Sequence, residues 1–369
     1  MIKILLITDQ QSTNHSAIEG IFSSTLKACS TIVYLPKECD SIHQEKHRIF
    51  IPYKYKRSGL FQTLSKLINL DEIDVVIVRN LYPILKQTLD ERNSRRFKVG
   101  FWKSWPHTYR RFYQSKIENK SKIRKYIEYR VKSYINEKEI KKCDFFMPLT
   151  SRFKEVFFSD INIATYPLGM GYDESIFSCD RSIQNLPVRF VYIGTIDKLR
   201  QTSLVIKAFH KSGSDFVFDL YTKSSNEEVS KVKEIIKNDS RISLKDPVSR
   251  EDLPEDLSKY DEGVNFISKD KIFDTSSPTK IYEYYASDMP ALMNYNPEFD
   301  GFLDKDTAFI GDFNLNSITQ SIEHIVSFSS EDIIKMGVQG KSNLAHRSYD
   351  KMAHNLLNFL MSINKTNSE

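Results

Sequence analysis

The residues best suited to chemistry lie in DTSSPTKIYEYYASDMP, residues 274–290. A polar turn from Asp274 to Ser277 leads into Pro278, whose fixed φ and missing N–H suit the first turn of a helix. Thr279 and Lys280 follow, and Lys280 and Glu283 share one helical face. Free N–H groups at such a helix start, with the helix dipole behind them, favour an anion. Lys280 adds a full positive charge. Glu283 adds a carboxylate able to accept two hydroxyl hydrogen bonds, which is what a ribose offers. Phosphates at a helix start with a carboxylate for the sugar make a nucleotide site. The same residues would also serve an ordinary surface helix carrying a Lys–Glu pair.

A second stretch has complementary chemistry. RFVYIGTIDKLRQTSLVIKAF (189–209) reads as a strand, a turn at Gly194 and Thr195, and a helix with Leu204, Val205 and Phe209 inward. Lys198 and Arg200 lie between turn and helix, and an arginine can grip a diphosphate with two hydrogen bonds. His107 follows the strand-like KVGFW, and His15 lies in the loop after the first strand. Both therefore fall at the carboxyl edge of a sheet, where open α/β folds bind ligands. His107 is a candidate near a reacting sugar, and His15 a weaker one on the acceptor side. Gly169 and Gly171 in IATYPLGMGYDESIF (163–177) give the φ freedom a hinge needs.

Taken together and in this order, these stretches resemble glycosyltransferase family 4, the retaining GT-B glycosyltransferases of bacterial polysaccharide synthesis. SPTKIYEYYASDMPAL is similar to that family's donor-nucleotide signature, and the strand–Gly194–Arg200–helix unit to its phosphate-binding element. The resemblance implies a GT-B fold of two Rossmann-like doubly wound domains facing a central cleft. It implies transfer of a sugar from a nucleotide-diphosphate sugar to a saccharide acceptor carried on a lipid, with retention and without metal or other cofactor. Gly194, Thr195, Lys198, Arg200, Ser277, Pro278, Thr279, Lys280 and Glu283 would bind the donor, with His107, Arg200 and Lys280 catalytic. Relatives carry an acidic residue eight positions before the glutamate, where this chain has Thr275. That departure leaves the sugar undefined and keeps two alternatives open, a nucleotide-sugar epimerase and a non-catalytic adaptor of the same fold.

The elements that must hold these residues follow from periodicity. Apolar runs at 2–8, 30–36, 74–80, 98–105, 144–148, 189–194, 215–222 and 291–296 read as strands, and helical patterns separate most of them. Helices are expected over 19–30, 60–68, 82–93, 227–238, 315–328, 330–344 and 348–363. Alternation of this kind predicts a doubly wound α/β architecture. The loop after the first strand lacks the G-x-G-x-x-G fingerprint of a dinucleotide site. We divide the chain into an acceptor domain (1–170), a donor domain (171–347) and a terminal helix (348–369) packed back on the first.

Composition narrows the class. At 369 residues, 40% hydrophobic and 27% charged, the chain is globular. No apolar run reaches the ~18 residues of a membrane span, and the start lacks the pattern of a secretory signal. Cys29, Cys39, Cys143 and Cys179 form no C-x-x-C pair, which predicts reduced thiols in a cytoplasmic protein and no metal site. Residues 1–172 hold 30 Lys and Arg against 17 Asp and Glu, and the rest of the chain holds 23 against 31. The most basic part is 103–142, read as mostly helix after His107, with Trp105, Tyr109, Phe112 and Tyr113 interleaved. This stretch predicts docking on an anionic membrane at the inner face of the cell. It carries no nucleic-acid-binding motif. Asp304-Lys305-Asp306 reads as a solvated turn.

Overall fold

The computed structural model describes residues 2–177 and 187–365, and Cys179 lies outside them. The chain forms two compact bodies. The first comprises residues up to Met170, Thr275–Ser277 and the terminal helix Tyr349–Lys365; the second comprises Gly171–Asp274 and Pro278–Ser348.

The first body is built on eight strands: β1 (Ile4–Thr8), β2 (Ser30–Tyr34), β3 (His43–Glu45), β4 (Arg48–Phe50), β5 (Val75–Arg79), β6 (Lys98–Lys103), β7 (Phe145–Pro148) and β8 (Ala164–Thr165). Their order is β3-β4-β2-β1-β5-β6-β7-β8, parallel except for β3. β1 and β5 are buried throughout, as strands covered on both faces must be. One face packs on Leu5, Val76 and Phe101. The other packs on Leu6, Ile77 and Trp102, where Met352, Leu356 and Leu360 of the terminal helix complete the core.

The second body has β9 (Val188–Ile193), β10 (Phe216–Tyr221), β11 (Ile242–Lys245), β12 (Glu262–Asn265), β13 (Ala291–Met293) and β14 (Phe309–Ile310). Their order is β11-β10-β9-β12-β13-β14, all parallel. In each sheet the first strand lies at the point where strand order reverses, beside β5 in one and β12 in the other. Both bodies are thus Rossmann-like, the pair of domains that defines the GT-B fold.

Several local expectations are corrected. The helix expected over 19–30 is a π-helix, Ile18–Thr25, shown by the bond from Leu26 N–H to Ile21 O at 2.9 Å. A Cβ on Gly20 would stand 2.2 Å from the Tyr349 ring, so this glycine is required by the terminal helix. Pro278 caps the helix Thr279–Ala286 rather than entering it. The basic segment 40–58 contains the β3–β4 hairpin at the sheet edge. The strands expected over 98–105 and 291–296 stop at Lys103 and Met293.

Helix Thr279–Ala286 is fastened to the second sheet by two tyrosines. The Tyr284 ring packs on Gly263, where a Cβ would fall 2.1 Å from it, and its hydroxyl accepts from Ile193 N–H at 3.2 Å. Tyr285 packs on Gly340 and donates to Thr307 O at 2.6 Å. Gly263→Ala forces the Tyr284 ring off the strand, and overpacking of this kind costs about 1–3 kcal/mol. Denaturant unfolding is expected to show that loss, whereas an unchanged midpoint would mean that the helix is not held by this contact.

Candidate functional site

β9 ends at Ile193, and Gly194 follows with φ +144°, a conformation that side chains other than glycine's rarely adopt. Space matters here as much as φ. A Cβ on Gly194 would stand 3.1 Å from Lys280 Nζ. Lys280 lies on the first turn of helix Thr279–Ala286, and its ammonium sits 3.7 Å from the centre of the Tyr192 ring. Tyr192 in turn donates its hydroxyl to Thr195 O at 2.7 Å. The missing side chain at Gly194 thus makes room for the end of Lys280, which an aromatic ring holds from the other side.

Lys280 makes no ion pair or hydrogen bond through its ammonium among the described residues. Glu283, three positions on, makes none through its carboxylate. The ordinary surface pair allowed by the spacing is therefore not formed. Both side chains keep some exposed surface, yet protein crowds each of them. Desolvation, and then the neighbouring Arg200, push Lys280 well below the usual lysine range, while Glu283 pulls it back. Desolvation raises Glu283 to about 6, against the opposing pull of Arg250 and Lys280.

Arg200 is fixed by Asp197, which accepts from its guanidinium and, at 2.8 Å, from its backbone N–H. The guanidinium lies 5.7 Å from the Phe273 ring, and its Nη2 and Nε have no partner among the described residues. The structure thus brings Gly194, Arg200, Lys280 and Glu283 to the carboxyl edge where the second sheet reverses. Lys198 is turned to an exposed ion pair with Glu227 at 3.3 Å. Thr195 is exposed. Ser277 belongs to the first body, and its hydroxyl accepts from Met170 N–H at 2.9 Å. Thr275 is buried there, its carbonyl accepting from the Thr150 hydroxyl at 3.2 Å.

In the first body, His15 Nε2 lies 2.8 Å from Arg79 Nη2, and Arg79 Nη1 donates to Asp9 Oδ1 at 2.8 Å. Trp102 stacks against this arginine at 5.0 Å and is anchored by its indole N–H on Leu168 O at 3.1 Å. His107 opens the helix His107–Ile117. Crowding by protein, then Lys103, Arg79, Arg110 and Arg111, push it below the usual imidazole range. The residue as a whole is exposed, so water screens part of that effect. His15 and His107 therefore share one sheet edge with cations that were not singled out from sequence. Asp9, Arg79 and Lys103 each end an apolar strand run, which was the available signal. Tyr192 was hidden because a strand tyrosine carries no mark of the cation above it.

No family model matches the chain, and no curated protein matches it in sequence. Solved structures match it in fold. Sucrose-phosphate synthase from Thermosynechococcus elongatus superposes with a TM-score of 0.71 at 11% identity, over 98% of this chain and 99% of that one. A glycosyltransferase from Rickettsia africae ESF-5 does so at 0.71 and 13%, over 99% of each chain. Anabaena HepE in complex with UDP and glucose gives 0.71 and 9%, over 98% of this chain and 100% of that one. The chain shares the GT-B fold of these proteins along its whole length.

Proposed function

We propose that the chain is a retaining glycosyltransferase, which takes a sugar from a nucleotide-diphosphate sugar and gives it to a saccharide acceptor carried on a lipid, in surface polysaccharide synthesis. The observation that carries this reading is the unpaired Lys280 amine over Tyr192, packed against Gly194 and beside Arg200. Two neighbouring basic groups, of which Lys280 has no carboxylate bonded to it and Arg200 keeps Nη2 and Nε free of one, suit a diphosphate. Negative charge grows on that group as the sugar leaves, so they stabilise the transition state more than the bound donor. Glu283, on the same helix face, accepts the ribose hydroxyls. UDP and glucose in the Anabaena protein are consistent with a donor of this class.

The basic helices support a place at the inner membrane face. Among the described residues no helix is long and apolar enough to cross a membrane. Tyr109, Phe112 and Tyr113, which could add interfacial contact if exposed, are half-buried. Tyr109 and Phe112 pack on Tyr129 at 5.4 and 6.1 Å, and Tyr109 also on Phe157 at 5.2 Å. The exposed apolar residues lie instead on helix Lys122–Ile140: Ile123, Ile127, Val131 and Tyr134 are 52–78% exposed. Their spacing puts them on one face, and Lys122, Arg124, Arg130 and Lys138 beside them are exposed. An apolar stripe edged by cations is the surface of an interfacial helix.

Glu283→Ala is expected to weaken binding of UDP-glucose by about 1.5–3 kcal/mol, the worth of hydrogen bonds to a charged group. Affinity of the parent should also rise with pH through about 6, as Glu283 loses its proton and becomes a double acceptor. The diphosphate diester of UDP-glucose does not titrate there, so a Glu283→Gln variant should give a flat profile. Equal affinity and an equal profile in parent and variants would remove Glu283 from the site. In the reaction, Arg200→Ala and Lys280→Ala should reduce kcat more than they raise KM, and EDTA should leave turnover intact; a strict need for Mg²⁺ would contradict the role given to these cations. For the membrane, sedimentation with anionic vesicles should fall with salt, because screening shortens to ~3 Å at 1 M. It should fall also on replacing Ile127 and Val131 with Ser. Indifference to anionic vesicles at low salt would overturn this part of the reading.

A further inference from the structure

The first body holds an arrangement of charge that the donor site leaves unused. Three strands side by side, β1, β5 and β6, give way at their carboxyl ends to Asp9, Arg79 and Lys103. Arg79 pairs in register with Trp102, so Lys103 is the next residue along the neighbouring strand. Both cations are only 4% exposed. Arg79 spends Nη1 on Asp9 and meets His15 Nε2 with Nη2, and its Nε is buried with no hydrogen-bond partner among the described residues. Lys103 has no ion pair or hydrogen bond there; its ammonium lies 4.9 Å from the centre of the Tyr82 ring.

Two buried basic groups therefore share one carboxylate, and burial pushes the Lys103 ammonium down to about 7 while Asp9 pulls it back. Arg110 and Arg111, exposed on helix His107–Ile117, act on His107 together with Lys103 and Arg79, Arg111 being also 4.0 Å from Glu128. Burying an ammonium without a counter-ion is costly, and an apolar side chain of the same length would fill the place without that cost. The cost becomes a function when a ligand brings the missing charge. A carboxylate would balance one cation, whereas a phosphate monoester balances nearly two. The location agrees, since β1 and β5 flank the reversal of strand order where open α/β sheets take ligands.

We propose that Arg79 and Lys103 bind a phosphate ester on the ligand of the first body, with Asp9 orienting Arg79. Only the identification of that ligand as the acceptor rests on the glycosyltransferase reading. Calorimetric titration of the full chain with inorganic phosphate at fixed ionic strength tests the site. Phosphate should bind the parent, Lys103→Met should weaken it by about tenfold or more, and Lys103→Arg should retain it. UDP titrated into the Lys103→Met protein reports that the fold and the donor site are intact. Competition separates the sources of phosphate: glucose 6-phosphate displaces it if the ligand is a soluble sugar phosphate, and vesicles containing phosphatidic acid displace it if the phosphate is borne by a lipid. Equal phosphate affinity in parent and Lys103→Met, or no binding to the parent, overturns the subsite whatever UDP does. Loss of phosphate in Lys103→Met from a protein that never binds UDP upholds the subsite and removes the donor reading instead.

Discussion

The Lys280 ammonium rests on a tyrosine ring and has no carboxylate bonded to it, although Glu283 stands three residues away. A cation–π contact offsets about 2 kcal/mol of such a charge's lost hydration. The remainder stays uncompensated, and the surroundings prevent an easy escape. Tyr284 and Tyr285 tie the helix to strands and to Gly263 and Gly340, so the backbone cannot back away. Gly194 gives the charge room to lie against the backbone but no partner. Arg200, pinned by Asp197, keeps a second cation close, and that neighbour lowers the lysine's proton affinity further. A dianionic ligand relieves all of these at once.

The same constraint shapes the first body. Parallel strands covered on both faces are mostly apolar along their length, and in the first body ionised side chains collect at strand ends. Asp9, Arg79 and Lys103 occupy such ends, and the residues preceding them, Thr8, Val78 and Trp102, are buried. Each sheet reverses its strand order beside its first strand, and the gap this opens between neighbouring loops is where the charges sit. In both bodies, charge that would be a liability inside a sheet becomes a binding feature at its edge.

Much of this is legible in the residues. Continuous apolar runs such as ILLIT and VVIVR mark buried parallel strands, and the Lys280–Glu283 spacing marks a shared helical face. What escapes reading depends on distant partners. The π-helix Ile18–Thr25 has no sequence mark, and Gly20 is explained only by Tyr349 from the other end of the chain. Tyr109 and Phe112 look like membrane anchors until Tyr129 and Phe157 cover them. The apolar stripe from Ile123 to Tyr134 hides inside a basic segment because its period shows only once the helix is drawn. Lys198 reads as a phosphate ligand, yet Glu227 takes it, a pairing that needs two loops to meet.

The most direct test is a crystal structure of the chain with UDP bound. The account predicts the diphosphate against Gly194, within hydrogen-bond distance of Lys280 Nζ and the free edge of the Arg200 guanidinium, with both ribose hydroxyls on the Glu283 carboxylate. A nucleotide bound elsewhere, or one that leaves the Lys280 ammonium on its tyrosine ring without a phosphate, would contradict it.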